Sequence, residues 1–451
     1  MQFKSINPHT GQEVGNYQSL SAEELQDKLN LSLAAYSSWR EVSLGQRCRL
    51  LKKAGQVLRN GVEDYAKMIS LEMGKPIKEA RSEVLKCASV CDYYADNAPH
   101  FLKEEVIETE AQKSFVRHDP IGGVFAVMPW NFPFWQVFRF AAPTLTAGNV
   151  GLLKHAPNVF GSAEMIEDVF EKAGFPKGVF QNLIVHHDST EEIIKHDSVS
   201  AITLTGSERA GSAVAMLAGK YLKKSLLELG GNNAFIVWED ADIDAAVKTA
   251  LVARMLNCGQ SCIAAKRFIL LEGIYDTFVE KFVAGIKAMS AGDPLDEETQ
   301  VGPMARKDLA DQLQTQVKRS VEMGAELLLG GKQKDCFHEP TVLGNVTPAM
   351  PAFREETFGP LAAMIKAKDI DEAFALSELS RYGLGITVCT SDIKKALSMA
   401  HKVSDGAFFV NELVKSDPRL PFGGTKLSGY GRELSKDGMM EFINRKTIYV
   451  K

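Results

Sequence analysis

The stretch GVFAVMPWNFPFWQVFRFAAPTLTAGNVGLLKH, residues 123–155, contains one complete unit of the predicted fold. Two short apolar runs, GVFAVM and VGLLKH, flank a longer segment, FWQVFRFAAPTLTAG, whose length and composition predict a helix. A strand, a helix and a second strand in this order are typical of a βαβ unit in a parallel sheet. Ligands bind such sheets at the carboxyl ends of the strands, so the residues that follow GVFAVM are candidates for a binding site.

The helix of this unit carries a charge that needs an explanation. Arg139 lies in an otherwise apolar segment, together with the amide side chains of Asn131 and Gln136. Burying an unpaired cation costs roughly several kcal/mol. Arg139 is therefore expected to face outward, to be paired inside the protein, or to meet an anion that arrives with a ligand.

The alternation of strands and helices continues along the chain. Residues 20–100 predict amphipathic helices, and EEVIETEAQKSFVRHD predicts an exposed hairpin. After VGLLKH, the first block continues with a helix near SAEMIEDVFEKAG, a strand in NLIVHH and a strand in AITLTG. A second block begins near NAFIVWED and runs through KRFILLE to GAFFVNE. The pattern predicts an α/β fold with two α/β domains that meet near residues 230–232.

The composition restricts the class of protein. The chain has 451 residues, of which 45% are hydrophobic and 24% charged, and a formal net charge of -5. These values are typical of a globular protein of about two to three domains. No dense run of lysine and arginine is present, which argues against nucleic acid or a membrane surface as a partner. Small molecules are the expected partners.

The expected location is the cytoplasm. The chain starts without an apolar leader, and no segment reaches about 18 consecutive apolar residues. Its seven cysteines have no spacing typical of a disulfide framework, so they are expected to be reduced thiols.

Two segments contain groups that could bind a ligand. In LTGSERAG, Gly206 and Gly211 lie at a strand-to-helix turn of the kind that binds a pyrophosphate, although an ordinary tight turn explains them equally well. In NCGQSC, a cysteine between structural elements could react with a ligand, whereas most free cysteines are buried and inert. No metal is expected, because no second pair of cysteines or histidines with ligand spacing accompanies this one.

Three further segments complete the set of candidates. In LELGG, Glu228 lies among apolar neighbours that could raise its pKa into the range of a general base, but an ion-paired glutamate at a strand end is an equal alternative. EETFGP precedes a predicted strand, and PFGGTKLSGYGRE predicts a tight, glycine-rich loop. None of these segments is decisive alone.

Together and in this order, the segments resemble the aldehyde dehydrogenase superfamily over nearly the whole chain. The segments that carry the resemblance are MPWNFP, GNVGLLKHAP, LTGSERAG, LELGG, NCGQSC, EETFGP and PFGGTKLSGYGRE. Within the superfamily, NFPFWQVFRFAAP is most similar to bacterial succinate-semialdehyde dehydrogenases. The resemblance implies a Rossmann-type dinucleotide-binding domain, an α/β catalytic domain and a small β oligomerisation element.

The resemblance also implies domain boundaries and assembly. Residues 1–101 and 121–229 would form the dinucleotide-binding domain, and residues 230–430 the catalytic domain. Residues 102–120 and 431–451 would form the oligomerisation element. Exposed edge strands of this kind are usually covered by another subunit, so a homodimer or homotetramer is expected.

Three catalytic residues follow from the resemblance. Cys262 would be the nucleophile that attacks the aldehyde carbon, with a few per cent of the thiol ionised near neutral pH. The amide of Asn131 and the backbone N–H of Cys262 would stabilise the oxyanion. Glu228 would activate the water that hydrolyses the thioester, and its presence favours a free acid over an acyl-CoA as product.

The resemblance assigns the cofactor NADP or NAD to a further set of residues. Glu356 and Phe358 would hold the nicotinamide ribose, and Lys154 would hold the adenosine ribose. The cleft would be completed by Trp130, Gly206, Ser207 and Gly211. NAD-preferring relatives commonly have a glutamate three residues after this lysine, and here Pro157 stands at that position. Because no carboxylate repels a 2′-phosphate there, and because His155 adjoins Lys154, NADP is expected to be accepted and is a candidate for the preferred cofactor.

Arg139 is the candidate for substrate recognition. Succinic-semialdehyde enzymes of the family carry an arginine at this position, and its guanidinium could bind the far carboxylate of the substrate. In the alternative, Arg139 pairs with a structural acid such as Glu412, and the protein is a general dehydrogenase for medium-chain or aromatic aldehydes. Ser416 is a further candidate for contact with the carboxylate. A non-catalytic protein that kept the fold is disfavoured because the catalytic residues are all present.

The chain departs from the family at three positions. Leu256 replaces a second arginine of many succinic-semialdehyde enzymes, six residues before the nucleophile. Phe140 replaces a lysine that pairs with the glutamate of GRE, which would leave Glu433 without that partner. Cys258 would lie one helical turn from Cys262, either as part of a reversible disulfide or as a small buried residue.

Overall fold

A computed structural model describes residues 2–451 of the protein. The α-helices are α1 (Ala22–Trp39), α2 (Leu44–Asn60), α3 (Val62–Met73), α4 (Ile77–Phe101), α5 (Trp135–Ala147), α6 (Phe160–Ala173), α7 (Thr190–Lys195), α8 (Glu208–Lys220), α9 (Ile243–Met255), α10 (Tyr275–Lys287), α11 (Lys307–Glu322), α12 (Pro351–Arg354), α13 (Ile370–Glu378), α14 (Ile393–Met399) and α15 (Ser435–Met440).

The strands form two large sheets and several small ones. They are β1 (Gln2–Ile6), β2 (Glu13–Gln18), β3 (Glu105–Val106), β4 (Lys113–Pro120), β5 (Gly123–Met128), β6 (Val150–His155), β7 (Phe180–Asn182), β8 (Val199–Thr205), β9 (Lys224–Glu228), β10 (Asn233–Val237), β11 (Ala265–Leu271), β12 (Glu326–Leu329), β13 (Gln333–Lys334), β14 (Phe337–His338), β15 (Thr341–Gly344), β16 (Leu361–Ala367), β17 (Tyr382–Gly383), β18 (Ile386–Cys389), β19 (Phe408–Val410), β20 (Thr425–Lys426), β21 (Gly429–Tyr430) and β22 (Ile443–Val450).

The first large sheet has the strand order β21-β9-β8-β5-β6-β7. It is parallel except for β21, which pairs antiparallel with β9. The side chains of β5 alternate between two hydrophobic clusters, since Val124 and Ala126 belong to one and Phe125 to the other. Helices therefore cover both faces of this sheet, as an α/β fold requires.

The second large sheet has the strand order β12-β15-β16-β11-β10-β18-β19 and is parallel except for the β12–β15 pair. Its strand β11 alternates in the same way, with Phe268 and Leu270 in one cluster and Ile269 in another. The predicted α/β fold class is confirmed by these two helix-covered sheets. Strand β9 leads directly through Gly230 and Gly231 into β10, so the carboxyl edge of the first sheet adjoins the amino edge of the second.

A separate three-stranded sheet joins two distant parts of the chain. The predicted hairpin is confirmed, because β3 pairs antiparallel with β4. The C-terminal strand β22 then pairs with all of β4, from Ile443 opposite Pro120 to Val450 opposite Lys113.

Two local predictions are wrong. The segment NLIVHH is not a strand, since β7 ends at Asn182, residues 183–186 form a loop and a 3₁₀ turn begins at His187. The helix after LTGSERAG begins at Glu208 rather than at Gly211, because Ser207 caps it. None of the helices in residues 2–451 has the length and apolar character needed to cross a membrane.

Candidate active site

Two cavities meet at Cys262. The larger, called here the large cleft, has a volume of about 910 Å³, and the smaller, called the small pocket, about 310 Å³. Cys262 and Gln136 line both cavities. The large cleft is lined, among others, by Trp130, Asn131, Gly206, Ser207, Glu356 and Phe358. The small pocket is lined, among others, by Lys86, Trp135, Arg139, Val414, Ser416 and Phe422.

The large cleft lies at the carboxyl end of β8, where helix α8 begins. Ser207 caps α8 by accepting a hydrogen bond from the backbone N–H of Ala210, 3.3 Å away. A helix N-terminus with a glycine in front of it can bind an anionic group such as a pyrophosphate. Gly211 is not part of the cleft wall. An added Cβ at Gly211 would meet the Leu229 side chain at 2.6 Å, so this glycine allows α8 to pack closely.

Glu356 and Phe358 form the opposite wall. The Phe358 ring lies edge-to-face with Trp130 at a centroid distance of 5.7 Å. Glu356 accepts hydrogen bonds from the backbone N–H of Gly231 (3.0 Å) and from Lys266 Nζ (2.8 Å). The buried Lys266 also donates to the carbonyl of Cys262 at 3.0 Å. One lysine that the sequence motifs did not indicate thus links Glu356 to the cysteine loop.

Lys154 is the last residue but one of strand β6 and lies opposite Val127 of β5, near the carboxyl edge of the sheet. It forms no ion pair within residues 2–451, and burial lowers the pKa of its ammonium group. Pro157 begins the short 3₁₀ helix Pro157–Val159 that follows. Neither residue is part of the wall described for the large cleft.

His155 does not supply the positive charge that was expected next to Lys154. Its ring is buried, with Nε2 2.9 Å from the carbonyl of Pro133, while Nδ1 accepts a hydrogen bond from the N–H of Ala156. Burial lowers its pKa to about 4, so the ring is neutral at physiological pH. His155 instead holds the loop between β5 and α5, and the electrostatic argument for NADP rests on Lys154 and on the missing carboxylate at Pro157.

The cysteine loop has an irregular backbone. After α9, the 3₁₀ turn Leu256–Gly259 places Asn257 and Cys258 at φ values of 56° and 54°. Cys258 is therefore not one turn of an α-helix from Cys262, and this premise of the disulfide prediction is wrong. Cys258 is buried in the core of the second sheet, whereas Cys262 packs at the edge of the first core.

The side chain of Arg254 stabilises this loop. Its guanidinium is fully buried and donates to the carbonyls of Ala265 (3.0 Å), Thr357 (3.1 Å) and Gly359. Burial lowers its pKa to about 9. Ala265 follows the cysteine loop, whereas Thr357 and Gly359 belong to the loop of Glu356 and Phe358. Arg254 therefore fixes these two loops relative to each other.

The Cys262 thiol is protonated at rest. Burial raises its pKa to about 11, and this outweighs the opposing effect of Arg139 and Lys266. The expectation that a few per cent of the thiol is ionised near pH 7 is therefore too high for this arrangement. A proton acceptor or a further positive charge is needed before the sulfur can act as a nucleophile.

Asn131 lies between the two sheets. The side-chain Nδ2 of Asn131 donates to the carbonyl of Gln260 at 3.1 Å. The backbone carbonyl of Asn131 accepts hydrogen bonds from Lys75 Nζ (3.0 Å) and Asn257 Nδ2 (2.7 Å). Its side-chain oxygen has no partner within the described residues. The amide is thus held in the wall of the large cleft beside the cysteine loop.

Helix α4 fixes the start of helix α5. Glu83 accepts hydrogen bonds from the backbone N–H groups of Phe134 and Trp135, both at 2.9 Å, in place of a local cap. The same carboxylate forms a buried ion pair with Lys75, whose ammonium lies 3.9 Å from the centre of the Phe132 ring. Since α5 carries Arg139 and follows Asn131, this ion pair positions both.

Glu228 is buried at the end of β9. Neither of its carboxylate oxygens has a hydrogen-bond partner in the part of the chain that is described, and it is not part of the wall of either cavity. Burial raises the pKa of this carboxyl well above its usual value, Arg139 opposes the rise and Glu433 adds to it. An added Cβ at Gly423 would lie 2.8 Å from its Oε1, so this glycine provides the space that Glu228 occupies.

Arg139 is paired inside the protein. Its Nε forms an ion pair with Glu433, and both side chains are almost fully buried. Its Nη2 donates to Thr205 Oγ1 at 3.3 Å, and its guanidinium carbon lies 4.7 Å from the centre of the Phe422 ring. Phe140 leaves Glu433 without the lysine partner of its relatives, and Arg139, at the neighbouring position, pairs with Glu433 instead.

The acid proposed as the alternative partner of Arg139 lies elsewhere. Glu412 forms an ion pair with Lys415 at 2.7 Å. Arg139 therefore has a structural acid, but a different one, and still forms part of the wall of the small pocket.

The small pocket contains a second cation. Lys86 of α4 donates from Nζ to Ser416 Oγ at 2.8 Å, and its ammonium lies 4.0 Å from the centre of the Trp135 ring. Ser416, a candidate for contact with the substrate carboxylate, lines the pocket, whereas the sequence motifs did not indicate Lys86. The only sequence signal was a lysine on the partly buried face of a predicted helix. Leu256, in the place of the missing arginine, also lines the pocket.

A group of possible metal ligands lies outside both cavities. His186, His187 and Asp188 present ligand atoms within 4.8 Å of one another, and two of the three are exposed. His186 Nδ1 already lies within hydrogen-bond distance of Asp188 Oδ2, at 2.8 Å. The group has no connection with the residues that surround Cys262.

Comparisons with known proteins agree with this geometry. The model of a family described as the aldehyde dehydrogenase family matches residues 1–448. The succinate semialdehyde dehydrogenase (NAD(P)+) Sad of Escherichia coli (strain K12) is 47% identical over 448 residues, which cover 99% of this chain and 97% of that protein. A probable succinate-semialdehyde dehydrogenase (NADP(+)) of Synechocystis sp. is 44% identical over 453 residues, which cover both proteins completely.

Solved structures give the same result. A succinic semialdehyde dehydrogenase from Streptococcus pyogenes, in complex with NADP+ as the cofactor, superimposes with a TM-score of 0.97 at 37% identity, covering 99% of each chain. Gox0499, studied for its selection of cofactor and substrate, superimposes with a TM-score of 0.98 at 38% identity over the full length of both chains. The resemblance detected in the sequence motifs is thus confirmed.

Proposed function

This chain belongs to the aldehyde dehydrogenase family, and we propose that it oxidises succinic semialdehyde to succinate with NADP or NAD. The observation that carries the proposal is the small pocket, where the sulfur of Cys262 shares a cavity with two basic side chains, Lys86 and Arg139. An aldehyde with a carboxylate at its far end matches this arrangement of nucleophile and cations. Full-length relatives named for this substrate support the assignment.

The nucleophile in this proposal is Cys262. Its proton must leave first, because burial holds the thiol pKa near 11. Glu228 in its ionised form is the proposed acceptor, since its charge is one of those that raise the pKa of the Cys262 thiol. The oxyanion formed by attack on the aldehyde would accept hydrogen bonds from Asn131 Nδ2 and from the backbone N–H of Cys262, each worth about 3 to 4 kcal/mol by analogy with hydrolases.

The large cleft is the proposed site of the dinucleotide. Its volume suits a ligand of this size, and it presents the N-terminus of α8, the serine cap Ser207 and the aromatic pair Trp130 and Phe358. Glu356 would bind the ribose next to the nicotinamide. Lys154 would bind the adenosine ribose or a 2′-phosphate, since it has no ion-pair partner of its own within residues 2–451. When bound there, NADP or NAD supplies the hydride acceptor.

The second half of the reaction is hydrolysis of the thioester on Cys262. Glu228 would remove a proton from the attacking water, which requires that its side chain move from its buried position toward the sulfur. Glu433 and Arg139 lie behind it and form the proposed route by which this proton leaves. Such a carboxylate favours the free acid as product.

Recognition of the far carboxylate is assigned to the small pocket, where Arg139 and Ser416 are among the lining residues. One observation favours a second candidate function, which is a dehydrogenase of broad specificity. Arg139 is already neutralised by Glu433, so its guanidinium has less charge to offer a substrate than an unpaired arginine would.

Location and assembly belong to the same proposal. All seven cysteines are free, which fits the reducing cytoplasm. The sheet of β22, β4 and β3 carries exposed apolar residues, among them Val106, Tyr449 and Val450, and we propose that a second copy of the chain covers it in a homodimer or homotetramer.

The proposal is tested by product analysis. Purified protein with succinic semialdehyde and NADP should form one succinate and one reduced cofactor per aldehyde consumed, without coenzyme A, and the Cys262→Ala variant should form neither. A strict requirement for coenzyme A, or full activity in the variant, would contradict the proposed chemistry.

A further inference from the structure

Lys86 is a cation in the small pocket that has no acid partner. Within residues 2–451 its ammonium contacts only the hydroxyl of Ser416, at 2.8 Å, and the ring of Trp135. Burial, together with the nearby charge of Arg139, lowers its pKa to about 8. A mostly buried ammonium in this situation is costly, and the cost falls when an anion binds beside it.

The acids around the pocket are each engaged elsewhere. Glu83 is paired with Lys75, Asp417 with Arg419 and Glu433 with Arg139. Ser416 lies next to Asp417 in the chain, but the Asp417 carboxylate binds the Arg419 guanidinium at 2.6 Å. The engaged acids therefore leave the charge of Lys86 without a counterion.

Glu79 is the remaining acid on the pocket wall. It lies seven residues before Lys86 on α4, which places the two about 10 Å apart along the helix axis. Its Oε2 accepts a hydrogen bond from the backbone N–H of Asn257 at 2.7 Å, and burial raises its pKa to about 7. Glu79 therefore supports the cysteine loop and is too distant to pair with Lys86.

We propose that Lys86, held by Ser416, is the principal anchor for the carboxylate of the substrate, and that Arg139 has the secondary part. The inference rests on the proposed function and specifies which side chains give it substrate specificity. Lys86 donates to the oxygen of Ser416, so the hydroxyl hydrogen of Ser416 is free to donate to the same carboxylate. Helix α4 would in this way replace the arginine that is missing at Leu256.

The charges balance only with this assignment. Arg139 and Glu433 form a neutral pair, and the incoming carboxylate supplies the counterion of Lys86. An aldehyde without a carboxylate would leave Lys86 uncompensated, which gives the pocket a preference for semialdehyde acids over neutral aldehydes of the same length.

The test compares kcat/KM for succinic semialdehyde with kcat/KM for butanal, which has the same number of carbons and no carboxylate. Lys86→Met should lower this ratio about 10- to 100-fold relative to wild type, and Lys86→Arg, which keeps the charge, should stay within about fivefold of wild type. Lys53→Met, which removes an exposed lysine from α2, is the matched control and should leave the ratio unchanged. Butanal turnover and the melting temperature report whether each variant is folded.

The outcomes separate the two proposals. A wild-type ratio near one would overturn the proposed function itself. A high wild-type ratio that Lys86→Met preserves would overturn the role of Lys86 and leave the proposed function standing. A high wild-type ratio that falls in Lys86→Met and returns in Lys86→Arg supports both.

Discussion

Arg139 and Lys86 have the same charge and line the same pocket, but their environments differ. Arg139 was conspicuous in the sequence because it interrupts an apolar helix, and the motif could show that its charge needed a partner. The motif could not identify Glu433, which lies almost 300 residues away, as that partner. Lys86 gave no such signal, because its isolation depends on Ser416, on Trp135 and on the engagement of the neighbouring acids with other groups.

The Arg139→Met variant separates catalysis from recognition. Arg139 lowers the pKa of both Glu228 and Glu433. Its removal should therefore raise the pKa of both carboxyls and keep Glu228 protonated at higher pH. We expect kcat for butanal at pH 7 to fall about 10- to 100-fold, and the acid limb of the pH–rate profile to move to higher pH. Steady-state kinetics from pH 6 to 10 measure this effect. An unchanged butanal profile would mean that Arg139 does not act through the two carboxyls.

The reactivity of Cys262 tests its environment. Burial raises the thiol pKa to about 11, and only the thiolate reacts with iodoacetamide. Without cofactor, the rate of Cys262 alkylation should therefore still be rising at pH 10, and NADP should shift the profile to lower pH by its positive ring. Subtracting the rate of Cys262→Ala removes the contribution of the other cysteines. A rate that is constant above pH 8 without cofactor would contradict the burial argument.

At the scale of elements, helix α4 determines the geometry of the site although it contains none of the recognised motifs. Its Glu83 caps helix α5, its Glu79 binds the cysteine loop, and its Lys86 lines the small pocket. These residues recur at spacings of three, four and seven, which place them on one face of a helix. Periodicity predicted the helix correctly, but it could not show that this face lies against a cavity.

The Glu83→Gln variant tests this positioning. It leaves Lys75 as an unpaired buried charge and weakens the bonds to the first N–H groups of α5, so the free energy of unfolding should fall by about 3 to 5 kcal/mol. KM for both aldehydes should rise, because α5 carries the pocket wall. Urea unfolding and steady-state kinetics measure the two effects. Glu63→Gln, which breaks an exposed ion pair with Arg81, is the control and should change stability by less than about 1 kcal/mol. Equal stability of both variants would refute the capping role.

Local predictions failed where the backbone departs from regular geometry. The turn before Cys262 contains three residues with positive φ, Asn257, Cys258 and Gly259, and periodicity did not distinguish it from the helix that would have aligned Cys258 with Cys262. The segment NLIVHH has the composition of a strand, but only its first residue belongs to β7. In both places the tertiary contacts override the local preference.

At the scale of the whole molecule, the site lies where two sheets meet. Asn131 follows strand β5 and Glu228 ends strand β9, both in the first sheet. Cys262 precedes strand β11 of the second sheet. Repeated strand and helix signals were sufficient to predict two α/β blocks. The hydrogen bonds between them, such as Asn131 to Gln260, required the folded structure.

The assembly proposal can be tested on the three-stranded sheet. Val106 and Tyr449 are 74% and 53% exposed, and replacing both with aspartate should weaken association if a second copy covers them. We expect a shift to monomer in light scattering after size-exclusion chromatography. Leu222→Asp, at a side chain that is 94% exposed and outside this sheet, is the control. An unchanged mass in the double variant would place the interface elsewhere.

The most direct test of the central claim is the ratio of kcat/KM for succinic semialdehyde to that for butanal in the wild-type protein, with NADP and with NAD. The two aldehydes have the same carbon count, so the ratio isolates the contribution of the far carboxylate. The small pocket with its unpaired Lys86 predicts a ratio of about a hundred or more, which corresponds to about 2.7 kcal/mol. A ratio near one would mean that the cations of the pocket do not select the substrate and that the protein is a general aldehyde dehydrogenase.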